Sequence, residues 1–204
     1  SLQGGARRLK MWKLTGIIER PVEDVLATAF SIDMRLQNDG NLVQVQAVDY
    51  LPPTEKYKHA SAITCEYFHL GSLLNDRYLV FAGSIKQETI ADTGFKRYIV
   101  ARKTIDRDVQ LLESARKNSI RGDCVGGYIF EQADSENKTT RYYECGWIDL
   151  KGAVPAWMWN IIVSTRGTAY HDGLKRGVEL VTDTNHSTVN SGKLLQTLLE
   201  YNLK

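Results

Sequence analysis

Cysteine is scarce in this chain, and its placement excludes two kinds of small protein. The three cysteines, Cys65, Cys124 and Cys145, lie far apart and form no Cys-x-x-Cys pair. Disulfide-stapled domains use even sets of cysteines, and structural zinc sites use closely spaced ligands. We therefore expect buried or half-buried free thiols in a reducing compartment, which favours a cytoplasmic location, and we expect no metal site.

Long apolar runs and an excess of one charge are also missing. No apolar stretch approaches the ~20 residues that span a bilayer, and no secretory signal is visible at the start of the chain. Lysine and arginine number 26 against 24 aspartates and glutamates, which gives a net charge of +2. Because nucleic-acid-binding proteins usually concentrate basic charge on one face, we expect no nucleic-acid partner.

Recognisable catalytic motifs are absent as well. The chain contains no Gly-x-Ser-x-Gly, no glycine-rich phosphate loop and no His-Glu-x-x-His. The histidines are scattered without metal-ligand spacing, at His59, His69, His171 and His186. We therefore predict that the protein is not an enzyme and uses no cofactor.

What the chain does contain is a succession of strand signals. Its 204 residues, of which 43% are hydrophobic, suit one domain with a substantial core. Period-two alternation and turn residues predict antiparallel strands joined by hairpins. The predicted strands cover residues 12–19, 42–51, 59–68, 77–85, 95–103, 126–132 and 139–149. Apolar spacing predicts a single helix over 21–33, and the charged segment 106–117 predicts a short helix or a surface loop.

The stretch from Ile148 to Asn160 is the most informative part of the chain. A strand-like, aromatic-rich segment ends there at an Asp-Leu-Lys-Gly turn, and Pro155 opens a long helical pattern, where the missing N–H of proline costs little. The broad apolar stripe that follows, to about Val181, is typical of a helix pressed onto a sheet. Glycines inside the stripe permit either close packing or easy bending. The pattern predicts a sheet that wraps around the helix and encloses a ligand cavity.

Four stretches match a known pattern in both order and spacing. They are the strand-to-helix junction 148–155, the late-helix segment 173–179, the strand 119–122 with Gly126-Gly127-Tyr128, and the strand pair 63–66 and 75–78. Together they resemble the START domain, the StAR-related lipid-transfer family. The resemblance implies an α+β helix-grip fold, in which a curved antiparallel β-sheet wraps around a long C-terminal helix with an internal lipid tunnel.

The resemblance also implies domain bounds. It covers residues 12–182. Residues 1–11 are then an N-terminal scar or a truncated first helix, since the family's initial helix has almost no room there. Residues 183–204 form a C-terminal extension, in which 193–201 predicts a short amphipathic helix.

The function implied by the resemblance is the binding and transfer of one lipid, a sterol, a ceramide or a phospholipid. Its partners would be that lipid and, transiently, a membrane surface, with a monomeric protein moving through the cytoplasm. Two alternatives stay open: an enzyme of the cyclase or hydratase type on the same fold, and a lipid-sensing regulatory module. Two titratable groups with strongly shifted pKa values in the cavity would favour an enzyme, and binding without transfer would favour a sensor.

Glu66 is the first candidate for the site. It lies mid-strand between apolar residues, where the resemblance implies an acidic residue that faces the cavity, although it could instead face solvent. Because an unpaired buried carboxylate is very costly, an inward-facing Glu66 must be paired, protonated or hydrated. Its candidate partners are Arg77, Arg102 and Arg121.

The other candidates are aromatic and apolar. Strand aromatics are core residues by default, but some must line any cavity, since tyrosine combines an apolar ring with a polar tip. The resulting ligand-binding set is Glu66, Arg77, Arg102, Arg121, Tyr128, Tyr143, Trp147, Trp159 and Val163. Two departures concern its polar end. The family's Arg-Asp-aromatic triplet is Asp76-Arg77-Tyr78 here, and Ala82-Gly83-Ser84 stands where many relatives carry a cavity-facing arginine.

Overall fold

The computed structural model of the chain describes residues 11–55, 59–71, 74–109, 119–152 and 154–183. Its strands are β1 Met11–Ile18, β2 Leu42–Leu51, β3 Ser61–Phe68, β4 Arg77–Thr89, β5 Lys96–Thr104, β6 Ile120–Arg121, β7 Asp123–Gln132 and β8 Thr140–Asp149. Its helices are α1 Val22–Phe30, α2 Ile32–Asn38 and α3 Ala156–Asp183. Residues 1–10 of the expected N-terminal segment, most of 106–117 and the expected helix at 193–201 lie outside the described residues, whereas Met11 already belongs to β1.

The strands form one curved, open sheet in the order β1-β8-β7-β5-β4-β3-β2, and neighbours along this path are antiparallel. The short β6 lies off the path and pairs in parallel with the start of β4. The first strand pairs with the last, Thr15 lying opposite Tyr143. The predicted α+β architecture, an antiparallel sheet that holds a long C-terminal helix, is confirmed.

The single helix expected over 21–33 is in fact two helices, which meet at Ser31. This residue has an extended backbone, with φ −67° and ψ 117°. Its hydroxyl accepts a hydrogen bond from the backbone N–H of Met34 at 3.3 Å. A serine in that role caps the start of a new helix, so the chain changes direction and α2 runs on to Asn38.

The start of α1 is held by the hairpin between β7 and β8. Asn137 in that hairpin adopts a left-handed φ of 53°. Its side-chain oxygen accepts the backbone N–H of Val22 at 3.2 Å, and its amide donates to the Glu23 carboxylate at 2.7 Å. One asparagine thus satisfies a free N–H of the first helical turn and ties the helix to the sheet.

The main core lies between the inner face of the sheet and helices α1 and α3. On α3, Gly173, Leu174, Gly177 and Val178 are buried. Both glycines therefore lie on the buried face of the helix. No helix among the described residues combines the length and the apolar character needed to cross a bilayer.

A smaller core covers the outer face of β3 and β4. Ile63, Cys65 and Val80 are buried there beneath Ile105 and Val109, which follow β5. Burial raises the pKa of the Cys65 thiol to about 11. The sheet is therefore covered on both faces at this point, which explains why β3 and β4 are more apolar than a half-exposed strand requires.

A glycine on β7 lies close to the backbone of the neighbouring strand β5. A Cβ atom built on Gly127 would lie 2.2 Å from the carbonyl oxygen of Val100. That oxygen belongs to the backbone, which cannot move aside as a flexible side chain can. A larger residue at this position would push apart two strands that both carry residues of the cavity described below.

We expect Gly127→Ala to lower the free energy of unfolding by about 2–3 kcal/mol, the usual cost of overpacking. Gly40→Ala is the matched control, because a Cβ atom there meets nothing within 4 Å. It should change stability by less than ~0.5 kcal/mol. Urea unfolding followed by circular dichroism measures both values, and equal effects would contradict the close approach.

Candidate functional site

A cavity lies between the inner face of the sheet and helices α2 and α3. Its volume is about 210 Å³, whereas one water molecule needs only roughly 10–15 Å³. The cavity is therefore large enough for an organic ligand. The first and last strands both contribute to its lining, because β1 and β8 are neighbours in the sheet.

Most of the cavity wall is apolar. The wall includes Trp12, Phe68, Leu79, Phe81, Ile148 and Leu174. Leu79 and Phe81 are two positions apart on β4, so both side chains point to the inner face of the sheet, and both are buried. A surface of this kind favours contact with hydrocarbon over contact with water.

Charged side chains interrupt this apolar wall, and three of them contact one another. Glu66 on β3 is 2% exposed, and its two carboxylate oxygens accept hydrogen bonds from Nη1 and Nη2 of Arg35, each at 2.8 Å. Arg102 on β5 reaches one of the same oxygens at 3.4 Å. The paired contact is the geometry of a guanidinium with an ionised carboxylate, whose charge both arginines stabilise. We call Arg35, Glu66 and Arg102 the charged cluster.

Arg102 has room on the sheet because glycines flank it. Gly83 lies opposite it on β4, and Gly126 lies opposite it on β7. Its guanidinium carbon lies 4.7 Å from the ring centre of Phe81 and 5.1 Å from that of Tyr128. Aromatic faces at these distances attract a cation, so the two rings hold the charge at the cavity wall.

Both arginines of the cluster remain strongly basic. Burial by itself would lower the pKa of the Arg35 guanidinium, but the adjacent Glu66 carboxylate outweighs burial and raises that pKa. For Arg102, burial again acts to lower the pKa, and Tyr128 together with Glu66 raises it above the ordinary value. Both guanidinium groups therefore stay charged at any physiological pH.

Of the predicted site residues, Glu66, Arg102 and Tyr128 come together at the cavity. Arg77 instead hydrogen-bonds to the backbone. It is 1% exposed and donates to the carbonyl oxygens of Asn75, Leu150 and Lys151. It thereby fixes the turn between β8 and α3, in which Lys151 has a left-handed φ of 52°.

Arg121 also hydrogen-bonds to the backbone. It donates to the carbonyl oxygens of Ile105 and Arg107, and it pairs with the exposed Asp106 at 3.1 Å. These contacts hold the segment that follows β5 and covers the outer core. Neither Arg77 nor Arg121 is among the described residues that line the cavity.

The remaining candidates lie away from the cavity or outside the described side chains. Tyr143 and Trp147 alternate on β8 with the buried Tyr142 and Glu144, so they share the outer face of the sheet with the exposed Cys145. Trp159 and Val163 belong to α3, and their side chains lie outside the part that the structure describes. Their contact with a ligand stays a prediction.

The sequence analysis missed Arg35. Its helix was expected to end at residue 33, and the arginine stands in a short mixed segment, Ile32-Asp33-Met34-Arg35-Leu36, without a clear apolar face. The available signal was indirect: Glu66, buried on its strand, needs a cation, and the family's usual arginine is replaced by Ala82-Gly83-Ser84. The structure supplies that cation from α2.

A second polar cluster joins the end of β3 to the start of β4. The Tyr67 hydroxyl donates to the Asp76 carboxylate, whose other oxygen lies 2.8 Å from Nδ1 of His69. Burial and the adjacent Asp76 raise the pKa of Tyr67 to about 12. These residues do not line the cavity. Among the described residues, no three His, Cys, Asp or Glu side chains are grouped as metal ligands would be.

Comparisons with known proteins identify the fold. No protein-family model and no curated protein gives a significant match to the sequence. The human StAR-related lipid transfer protein 5 superposes with a TM-score of 0.66 at 13% identity, over 84% of this chain and 76% of that one. Human STARD10 superposes with a TM-score of 0.67 at 14% identity, over 91% of this chain and 71% of that one.

The lipid transfer and protein localization domain of human StarD13 is similar as well. It superposes with a TM-score of 0.60 at 19% identity, over 83% of this chain and 77% of that one. The chain therefore has the START-type helix-grip fold, and the resemblance stated from the sequence is confirmed at the level of fold. At such identities the likeness leaves the ligand open.

We expect Glu66→Gln to lower the free energy of unfolding by about 3 kcal/mol, because it leaves two guanidinium groups without their buried counter-charge. Glu88→Gln on β4 is the control. Its carboxylate pairs with Lys86 and Arg97 at the surface, where an ion pair is worth less than ~1 kcal/mol. Urea unfolding measures both variants, and a neutral effect of Glu66→Gln would show that the cluster is not electrostatically coupled.

Proposed function

We propose that this domain binds one lipid molecule in the internal cavity and carries it between membranes. The observation that supports the proposal is the combination of an apolar wall with one charged cluster. This combination matches an amphiphile that has a hydrocarbon body and one polar end. The fold adds support, because the solved domains that share it include ones named for lipid transfer.

The hydrophobic effect supplies the affinity in this proposal. Each CH₂ group moved from water into an apolar environment is worth about 0.8 kcal/mol. A free lipid chain in water loses that energy along its whole length, and the apolar wall of the cavity recovers it for the part of the chain that the wall contacts. The charged cluster then orients the ligand, since only the polar end can replace the water around the guanidinium groups.

The chemistry of the cavity favours binding over catalysis. General acid–base catalysis requires a group that exchanges a proton near neutral pH. Arginine does not do so, and Glu66 is held by two arginines at 2.8 and 3.4 Å. The pKa values of Arg35 and Arg102 are raised, which makes both guanidinium groups poorer proton donors. A cyclase or hydratase mechanism therefore has no evident acid or base in this cluster.

A membrane surface is the second partner in this proposal. Trp157, in the first turn of α3, is 58% exposed. Tryptophan combines a large apolar ring with a polar N–H and favours the boundary between water and lipid. We propose that this turn touches the membrane while the cavity is loaded, and that the protein otherwise moves through the cytoplasm as a monomer.

A lipid-capture experiment tests the function. Purified protein is incubated with vesicles that contain phospholipid, sterol, ceramide and fatty acid, and is then re-isolated and extracted for mass spectrometry. We expect one lipid molecule per protein and movement of that lipid to acceptor vesicles. Recovery of no lipid from any class would contradict the proposal, and capture without transfer would favour a lipid sensor.

A matched pair of cysteine variants shows whether the cavity holds the captured lipid. Cys124 lines the cavity and is buried, whereas Cys145 on the neighbouring strand is exposed. Cys124→Phe should fill part of the cavity and reduce capture, and Cys145→Phe should leave capture unchanged. A thermal melt confirms that both variants are folded. Equal capture by both would place the lipid elsewhere.

We expect Trp157→Ala to slow the loading of lipid from vesicles by about tenfold, as loss of a large aromatic membrane contact implies. Its affinity for lipid supplied in detergent should not change. Leu180→Ala is the control, because Leu180 is 47% exposed on the same helix but lies about 35 Å further along it. Stopped-flow transfer of a fluorescent lipid measures the rates, and equal rates for all proteins would contradict membrane contact through this turn.

A further inference from the structure

The charged cluster is not neutral. Two guanidinium groups, those of Arg35 and Arg102, surround the single carboxylate of Glu66, so the cluster carries one net positive charge. Asp39 is the other described carboxylate that lines the cavity, and it accepts the backbone N–H of Asn41 in an exposed turn. Within the described residues, neither arginine has Asp39 as a partner. Among the described residues, therefore, the two arginines share Glu66 as their one paired carboxylate, and one positive charge within the cluster has no carboxylate of its own.

Arg102 carries most of this unmatched charge. Arg35 takes both oxygens of Glu66 at 2.8 Å, and Arg102 reaches the carboxylate with one nitrogen at 3.4 Å. A guanidinium has five N–H donors, so most of those on Arg102 have no acceptor among the described residues. The side chain is only 13% exposed. The rings of Phe81 and Tyr128 attract the charge but cannot replace hydrogen-bond acceptors.

A bound hydrocarbon chain makes this shortage of acceptors costly. Water can solvate the Arg102 donors while solvent fills the cavity, but a lipid displaces that water. A buried donor left without an acceptor costs free energy, and more so when the donor is charged. The polar end of the ligand must therefore supply acceptors, and an anionic group does so most strongly, because charge-assisted hydrogen bonds are about twice as strong as neutral ones.

We propose that the lipid bound in this cavity carries one anionic group, a carboxylate or a phosphate, which binds Arg102 beside Glu66. This inference rests on the proposed function and names its ligand class: an acidic amphiphile, in preference to a neutral lipid whose polar end is a hydroxyl. One negative charge brings the cluster to neutrality. Glu66 repels an anion from the Arg35 side, so the group is directed to the open donors of Arg102.

Three probes with the same alkyl chain test the inference. They are palmitate, hexadecyl phosphate and hexadecanol, each used to displace a neutral fluorescent lipid analogue below its micellar concentration. We expect at least one of the two acids to bind about tenfold more tightly than the alcohol, the effect of one charge-assisted contact. The tighter acid identifies the anionic group as carboxylate or phosphate.

Arginine variants on one strand locate the preference. Arg102→Gln should weaken binding of the preferred acid by about tenfold and change hexadecanol binding by less than about threefold. Arg102→Lys, which keeps the charge, should retain part of the preference. Arg97→Gln is the control on β5, since Arg97 pairs with Glu88 and Glu131 and should leave all three affinities unchanged.

The outcomes separate this inference from the proposed function. If hexadecanol binds as tightly as both acids to the unmodified protein, the anionic ligand is excluded while lipid binding stands. If none of the three probes nor any vesicle lipid binds, the proposed function fails and the inference fails with it. If an acid is preferred but Arg102→Gln leaves the preference intact, Arg102 is not its site, and the inference is overturned for this residue.

Discussion

The ion pair between Arg35 and Glu66 lies where the sheet, the short helix α2 and the cavity meet. Burying two charges removes them from water, and that cost is recovered only when the geometry is good on both sides. Here both carboxylate oxygens accept at 2.8 Å. This pairing requires α2 to lie over the inner face of the sheet, and hence requires the chain to turn at Ser31.

The inner face of the sheet therefore borders two different regions, a packed core and an open cavity. Towards the C-terminal half of α3, Leu174 and Val178 pack with Phe130 and Tyr142 in a dense core. Towards the charged cluster the space stays open, and Leu174 belongs to both regions. The dense part provides the stability that a domain with an open cavity needs, because an unfilled apolar space forfeits packing contacts.

The four arginines discussed above fall into two groups according to the atoms that they contact. Arg77 and Arg121 donate hydrogen bonds to backbone carbonyl oxygens at turns. A planar guanidinium with five donors can hold several backbone segments at once. Arg35 and Arg102 face the cavity with a carboxylate between them. Because arginine keeps its charge at all relevant pH values, both groups remain cationic at the cavity wall. The fold alone would not have made this distinction.

The amino-acid sequence by itself determined the strands, the long closing helix and the need of a buried Glu66 for a cation, because alternation, turn residues and burial costs act locally. Its pattern also led to the fold. Only the tertiary structure decided which cations pair with Glu66. Arg35 is 31 residues away and Arg102 is 36, and periodicity reports which face a residue occupies, not which distant residue crosses to meet it. The break at Ser31 brings Arg35 within reach of Glu66, and it depends on one hydrogen bond to the Ser31 hydroxyl. In the sequence that signal is weaker than the apolar spacing of the surrounding residues, which predicts one continuous helix.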